Sequence, residues 1–268
     1  MCVDLDSIAS CWLIKRYFPG WKDADVAFVP AGTTLNNTPP DSNPNIIHID
    51  TGYGMFDHHQ NNERTCAAEK VFLHAVSEGF IQGKDRSALE RFIKLVVLVD
   101  HFEEMYFPDP ADDRYELCLY QIIDNMQGIC KSDNEIVSLA FVLLDAELRL
   151  FQKKIQAERE IEKGYIFTSF VGKSLAMETS NETSMKLAMK KGFRLVVRKD
   201  PISGSIRIKS TPEQSIDLTP IYKKIINKDS TGTWFLHASK HMLLNGSSRN
   251  PTLKPSPLSI QDIIAILR

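Results

Sequence analysis

A long unbroken helical pattern, Asn134 to Lys163, most constrains what this chain can fold into. It is rich in Leu, Ala, Glu and Lys, and Gly164 stands where a helix C-terminus favours glycine. Its second half, FQKKIQAEREIEKG, is heavily charged. Two arrangements suit such a helix: it joins two folded halves, or it lies along the first of them. The chain changes character on either side of it. Residues 1–164 hold 16 Lys and Arg against 27 Asp and Glu, net −11, and residues 165–268 hold 16 against 7, net +9. The net charge of −2 hides this division. An acidic half suits divalent cations and a basic half suits a polyanion, although two solvated surfaces of unlike composition would read the same way. The expected organisation is a domain over 1–132, a connecting helix over 133–164 and a second domain over 165–268.

With 268 residues, 43% apolar and 25% charged, the chain has ample material for a core without disulfides or a structural metal. Five cysteines, Cys2, Cys11, Cys66, Cys118 and Cys130, are scattered with no CxxC pair. That pattern reads as free thiols in a reducing compartment. No signal-peptide pattern opens the chain. The longest apolar stretches, such as Ser138 to Leu144, fall far short of the ~20 residues of a membrane span. A cytoplasmic protein without membrane association is expected.

Residues 7–17 carry a helical apolar stripe of Ile8, Cys11 and Trp12, stopped by Pro19-Gly20. Asp25 to Pro30 and Ile46 to Asp50 read as short strands, separated by a Pro- and Asn-rich loop over 31–45. Helices follow over 65–79 and 86–100, with further helical segments through 115–127. Strands alternating with helices imply a parallel sheet with helices on both faces. The second half opens on a strand (YIFTSFV), followed by a helix at about 181–191. Phe193–Lys199 and Ser205–Lys209 form a hairpin around Asp200-Pro-Ile-Ser-Gly204. A helix over 217–227, strand material on both sides of Ser239-Lys240, a loop over 246–257 and a terminal helix over 259–267 complete a smaller α/β domain.

Four points along the first half carry chemistry. Asp4-Leu5-Asp6 precedes a helix, Asp50 ends an apolar run, Asp57-His58-His59 follows Met55-Phe56, and Asp100-His101 ends another apolar run. In an open α/β sheet ligands bind beyond the carboxyl ends of the strands, so these points could converge on one crevice. Carboxylates suit Mn²⁺ and Mg²⁺, and imidazole shifts preference toward Mn, Fe, Co or Zn. Two such ions held ~3.5–4 Å apart by a shared carboxylate acidify a bound water and clamp a phosphoryl group. Taken singly, Asp4 and Asp6 could be helix N-terminal acids, Asp50 a loop carboxylate, Asp57-His58-His59 a surface turn and Asp100-His101 a helix end.

The series VDLDSIAS, HIDTG, FDHHQ and VDH, in that order, resembles motifs I to IV of the DHH phosphoesterase superfamily over roughly residues 1–130. That superfamily includes oligoribonucleases, cyclic-dinucleotide phosphodiesterases, single-strand exonucleases, family II pyrophosphatases and exopolyphosphatases. The resemblance implies that Asp4 binds one metal and Asp6 the other, with Asp50 bridging. It implies that His58 and Asp100 complete the second metal site, that His59 contacts the substrate phosphate, and that Asp57 orients the histidines or assists proton transfer. The family's first motif begins with a histidine four residues before its first aspartate, a position that falls before Met1, as does the strand leading into it. The expectation is that the chain as given starts downstream of both; the alternative is a native protein that has lost the ligand.

The second half resembles the family's C-terminal substrate domain more loosely. There a glycine-rich turn ending in histidine holds phosphate; here Thr231 to His237 (TGTWFLH) stands in that place with Gly232 as its only glycine. His237, Arg207 and Lys209 are the candidate phosphate contacts, while His237 could equally be a strand histidine. Trp234 and Phe235 could stack on a base but suit core packing better; His48, His74 and His241 read as structural. The resemblance implies a phosphoesterase with two divalent ions, Mn before Mg or Co, acting on small nucleotides or short single-stranded oligonucleotides, and it allows a homodimer. The alternatives are a pyrophosphatase or polyphosphatase-like hydrolase, and a non-catalytic nucleotide or nucleic-acid binder built on the same domain.

Overall fold

The computed structural model describes residues 3–246 and 252–268, so Cys2 and part of the loop expected over 246–257 lie outside the described residues. The chain is mixed α/β, with eight α-helices and six strands among the described residues. It divides into two compact units, 1–152 and 153–268.

The first unit is built from helices and long loops. Helix α1 (Leu5–Tyr17) starts at Asp4, whose carboxylate accepts from the Ser7 amide at 2.9 Å, and it ends ahead of Pro19-Gly20. Ile8, Leu13 and Trp12 are buried along it, each aliphatic burial contributing about 1.5–3 kcal/mol. Helix α2 (Ala67–Ser77) and helix α3 (Gly83–Asp100) pack on α1 and on each other. Helix α4 (Leu119–Asn125) follows, then helix α5 (Asp133–Glu162), 30 residues long. The unit boundary falls inside α5, so this helix belongs to the first unit for most of its length and enters the second for its last turns.

The parallel sheet expected here is not found among the described residues of this unit. Residues 25–30 are extended without a strand beside them, and 46–50 contribute a single parallel bridge, Ile49 to Phe56. A strand is stabilised by its neighbours' hydrogen bonds and by burial of its faces; none of residues 25–30 is buried, so an apolar run alone does not suffice. What fixes the loops instead is an aromatic cluster. Phe18, Phe56, His74 and Phe80 meet at ring separations of 5.4–6.1 Å, which pins Phe56, and with it Asp57, to α1 and α2.

The second unit is a six-stranded sheet in the order β1-β2-β3-β4-β6-β5. Strands β1 (Tyr165–Ser169) and β2 (Gly172–Glu178) form a hairpin; β2 is parallel to β3 (Leu195–Lys199) through helix α6 (Thr183–Lys190). Strands β3 and β4 (Ile206–Ser210) pair antiparallel, as do β4 with β6 (Met242–Asn245) and β6 with β5 (Trp234–Leu236). Helices α7 (Thr219–Lys228) and α8 (Ile260–Leu267) bury Ile221, Ile225, Ile263 and Ile264 against Leu195, Val197, Ile206, Ile208 and Leu243 on one face. On the other face α6 and the end of α5 bury Met185 and Ile161 against Leu175, Met177 and Val196. The sequence reading passes over β2, because GKSLAME has no β-branched or aromatic residue and lacks alternation; the strand is set by burial on both faces.

Candidate metal centre

Three helix ends and one loop bring the site together. Asp6 lies in the first turn of α1, Asp100 is the last residue of α3, and the loop holding Asp50, Asp57, His58 and His59 runs to the start of α2. Asp6, only 3% exposed, accepts the first two amides of α2, from Ala67 and Ala68, both at 2.8 Å. A carboxylate at a helix N-terminus meets free N–H groups and a favourable dipole, which orients it. Cys66, Ala67 and Ala68 are fully buried, and these small side chains let α2 approach Asp6 closely.

His58 is the centre of the constellation. Its Nε2 lies 3.4 Å from Asp50 Oδ1, 3.7 Å from Asp100 Oδ2 and 3.8 Å from Asp6 Oδ2. The His59 ring lies 4.3 Å from it, tilted by 43°, with Nδ1 3.7 Å from Asp50 Oδ1. Two donor groups result, Asp50 with His58 and His59, and Asp6 with His58 and Asp100, each with its ligand atoms within 4.8 Å of one another.

Asp57 plays a different part. It is 1% exposed and accepts from the Tyr53 amide at 2.7 Å, the His59 amide at 3.0 Å and His59 Nδ1 at 2.7 Å. Burial raises its pKa, but these hydrogen bonds outweigh burial and hold the carboxyl below its usual range. The Lys70 ammonium donates to the Asp57 carbonyl and secures the same loop.

Asp4 falls in neither donor group among the described residues. It is exposed, and its Oδ1 is engaged by the Ser7 amide and hydroxyl at the cap of α1. The role of helix N-terminal acid describes its contacts. Its charge still reaches the site, since it contributes to the raised pKa of Asp50 and Asp100.

The electrostatics are those of carboxylates crowded together. Burial, followed by Asp6, Asp4, Asp100 and Asp57, pushes Asp50 up to about 9. Burial, with Asp100 adding to it, raises Asp6 to about 6 against hydrogen bonds from Cys66, Ala68 and Ala67. Burial raises Asp100, opposed by His58 and His101, and lowers His58, which favours the neutral imidazole that ligates metals. Asp50 Oδ1 is buried and has no hydrogen-bond partner, although two imidazole rings face it. Asp50 also holds a left-handed backbone, φ 53°. An unsatisfied buried carboxylate oxygen is costly, and a divalent ion among these oxygen and nitrogen donors would satisfy it, so the residues fit such an ion.

Sequence reasoning missed two supports, the Cys66 thiol on Asp6 and Lys70, and gave no role to His101, whose Nε2 meets the Thr65 carbonyl at 3.0 Å. The odd cysteine count drew attention to compartment rather than to Cys66, and nothing local marks Lys70.

In the second unit Arg207 and Lys209 sit on β4 and His237 just after β5. Arg207 donates to Glu182 at 2.8 Å and faces Arg198 in register. His237 is exposed, with Nδ1 2.9 Å from Ser239 Oγ. Trp234 is buried and donates to Asp229 at 2.8 Å, so it is a core residue. Gly232 serves packing: a Cβ there would stand 2.3 Å from Asp229 Oδ2. His48 and His74 are tied into the first unit, by the Leu35 amide and by Phe18 and Phe56 respectively.

Compared with protein-family models, with curated proteins and with solved structures, the chain matches none.

Proposed function

We propose that the first unit is a divalent-metal-dependent phosphoesterase, with Mn²⁺ as its preferred ion, that cleaves phosphodiester or phosphomonoester bonds of small nucleotides or short single strands. The observation that carries it is the buried, unpartnered Asp50 Oδ1 between His58 and His59. Asp50, Asp6 and Asp100 would hold an ion with His58, whose single Nε2 lone pair serves one ion at a time, so the two donor groups are not both filled through it. Such ions supply Lewis acidity and a water of lowered pKa. Asp57 keeps a proton on His59 Nδ1, leaving Nε2 to exchange a proton with a phosphoryl oxygen or to hold it. Asp6 is held rigid by two α2 amides, so the ligand geometry is set before substrate arrives. Mixed carboxylate and imidazole donors favour Mn over Mg. The basic second half supports a polyanionic substrate.

The test is hydrolysis of dinucleotides, short oligonucleotides and nucleoside monophosphates by the purified chain with Mn²⁺. Loss of activity in EDTA and in Asp50→Asn is expected. A protein that binds Mn²⁺ yet leaves all three substrate classes uncut would end this reading.

A second reading, a non-catalytic nucleotide or nucleic-acid binder, is favoured by Asp4, whose carboxylate caps α1 and stands outside both donor groups. Metal stoichiometry separates the two: two tightly held ions per chain support the enzyme, one or none the binder.

A further inference from the structure

Two aromatic residues among the described residues have a left-handed backbone, Tyr53 at φ 59° and Phe102 at φ 56°. Bulky side chains rarely adopt this region, and such outliers gather at functional sites. Phe102 is the more telling. It stands two residues beyond Asp100, and the intervening His101 has its ring 6.5 Å from that of His58. The segment is clamped on both sides of it: His101 Nε2 meets the Thr65 carbonyl at 3.0 Å, and Glu103 takes two bonds from the Arg64 guanidinium at 2.5 and 2.6 Å. The Phe102 amide is also tied to the Val99 carbonyl at 2.9 Å. The ring nevertheless remains 64% exposed. Its backbone ends α3 and caps the 3-10 turn that follows, which accounts for the left-handed φ, while its ring is left to solvent beside the Asp100 end of α3.

We propose that Phe102 is a stacking platform for the nucleobase of the substrate, and that it sets a preference for nucleotides over base-free phosphoesters at the metal centre. The inference rests on the phosphoesterase reading for the phosphate end of the substrate and adds a contact for the base. Aromatic faces accept every base, so the platform favours nucleotides as a class. Its position on a clamped segment holds the backbone that carries the ring before binding, which lowers the entropic cost of the contact.

The experiment compares wild type, Phe102→Ala and Phe102→Trp on a dinucleotide and on its abasic analogue, with Leu73→Ala, a similarly exposed apolar change on α2, as control. Phe102→Ala is expected to raise KM for the dinucleotide roughly 5- to 100-fold with kcat within about twofold. Phe102→Trp should keep the wild-type KM, and the abasic analogue should not distinguish the variants. Binding of a nucleoside monophosphate in EDTA is followed in parallel by equilibrium dialysis. If no phosphoester is cut but Phe102→Ala still weakens nucleotide binding, the phosphoesterase reading falls and the platform stands. The platform is overturned if Phe102→Ala changes neither KM nor nucleotide binding, or changes the abasic analogue equally.

Discussion

His58 Nε2 stands 3.4 Å from Asp50 Oδ1, and no hydrogen bond joins them. The carboxylate oxygen is thus buried beside a nitrogen that does not satisfy it. Replacing Asp50 by Asn removes the ionisable carboxyl while keeping the shape. Asp50→Asn is expected to abolish the stabilisation that Mn²⁺ confers on the wild type, about 2.7 kcal/mol at 100 times Kd. The metal-free variant should melt higher than the metal-free wild type, by roughly 2–4 °C per kcal/mol no longer spent on keeping Asp50 protonated in the fold. Thermal melts with EDTA and with Mn²⁺ give both values; an unchanged Mn²⁺ shift in the variant would exclude Asp50 as a ligand.

Metal binding should depend on pH in a stated direction. The folded pKa of Asp50 is raised to about 9, whereas a free aspartate titrates at about 3.9. Between these values the metal-free folded state keeps a proton that the unfolded state has lost, so this group's contribution to stability falls as pH rises through that window. A divalent ion needs the carboxylate and must displace that proton. Affinity is therefore expected to rise roughly tenfold per pH unit below about 9 if one proton leaves. Calorimetric titration in two buffers of unlike ionisation heat counts the protons released, and a count of zero would remove Asp50 from the ligand set.

Asp57 should act through His59. Asp57→Asn replaces an acceptor of three hydrogen bonds and frees the His59 ring. Activity is expected to fall about 10- to 100-fold, as for other groups that orient a ligand shell. Bound metal, measured by atomic absorption, should stay near the wild-type ratio. Loss of metal in step with activity would instead make Asp57 a ligand.

The second unit hangs on Asp229. Its carboxylate accepts from the Gly232 amide at 2.7 Å, Trp234 Nε1 at 2.8 Å, the Thr231 amide at 3.0 Å and Ser256 Oγ at 2.5 Å. Burial raises its pKa, but the bonds from Ser256, Gly232, Trp234 and Thr231 outweigh burial and hold it well below the carboxylate range. A depressed folded pKa gives stability that is present above the unfolded value, about 3.9, and is lost as pH falls below it. Asp229→Ala leaves several buried donors without an acceptor and is expected to cost about 3 kcal/mol or more. Gly232→Ala should destabilise too, by driving a methyl group onto Asp229. Chemical denaturation at pH 7 and pH 3 reads both effects, and wild-type stability in both variants would refute this account.

Much of the local structure was legible in the sequence. The helical stripe at Ile8, Cys11 and Trp12, the stops at Pro19-Gly20 and Gly79, the long α5 pattern and the hairpin around Asp200 to Gly204 each follow from short-range periodicity and turn chemistry. The acidic and histidine positions were legible as well, because each follows an apolar run or opens a helix. Which of them meet was not. Asp6 and Asp100 enter a donor group with His58, while Asp4, two residues from Asp6, turns its carboxylate to its own helix cap.

The sequence by itself determined where helices start and stop, which depends on neighbours a few positions away, and which residues have a carboxylate or imidazole to offer. Only the tertiary structure decided the rest. The run at 25–30 has strand composition and finds no strand partner among the described residues, while GKSLAME has no β-branched or aromatic residue and becomes β2 between β1 and β3. Strand formation is settled by what lies alongside, often distant in sequence. The same holds for Asp50, whose burial against His58 and His59, and not its place in the motif, leaves one oxygen without a partner.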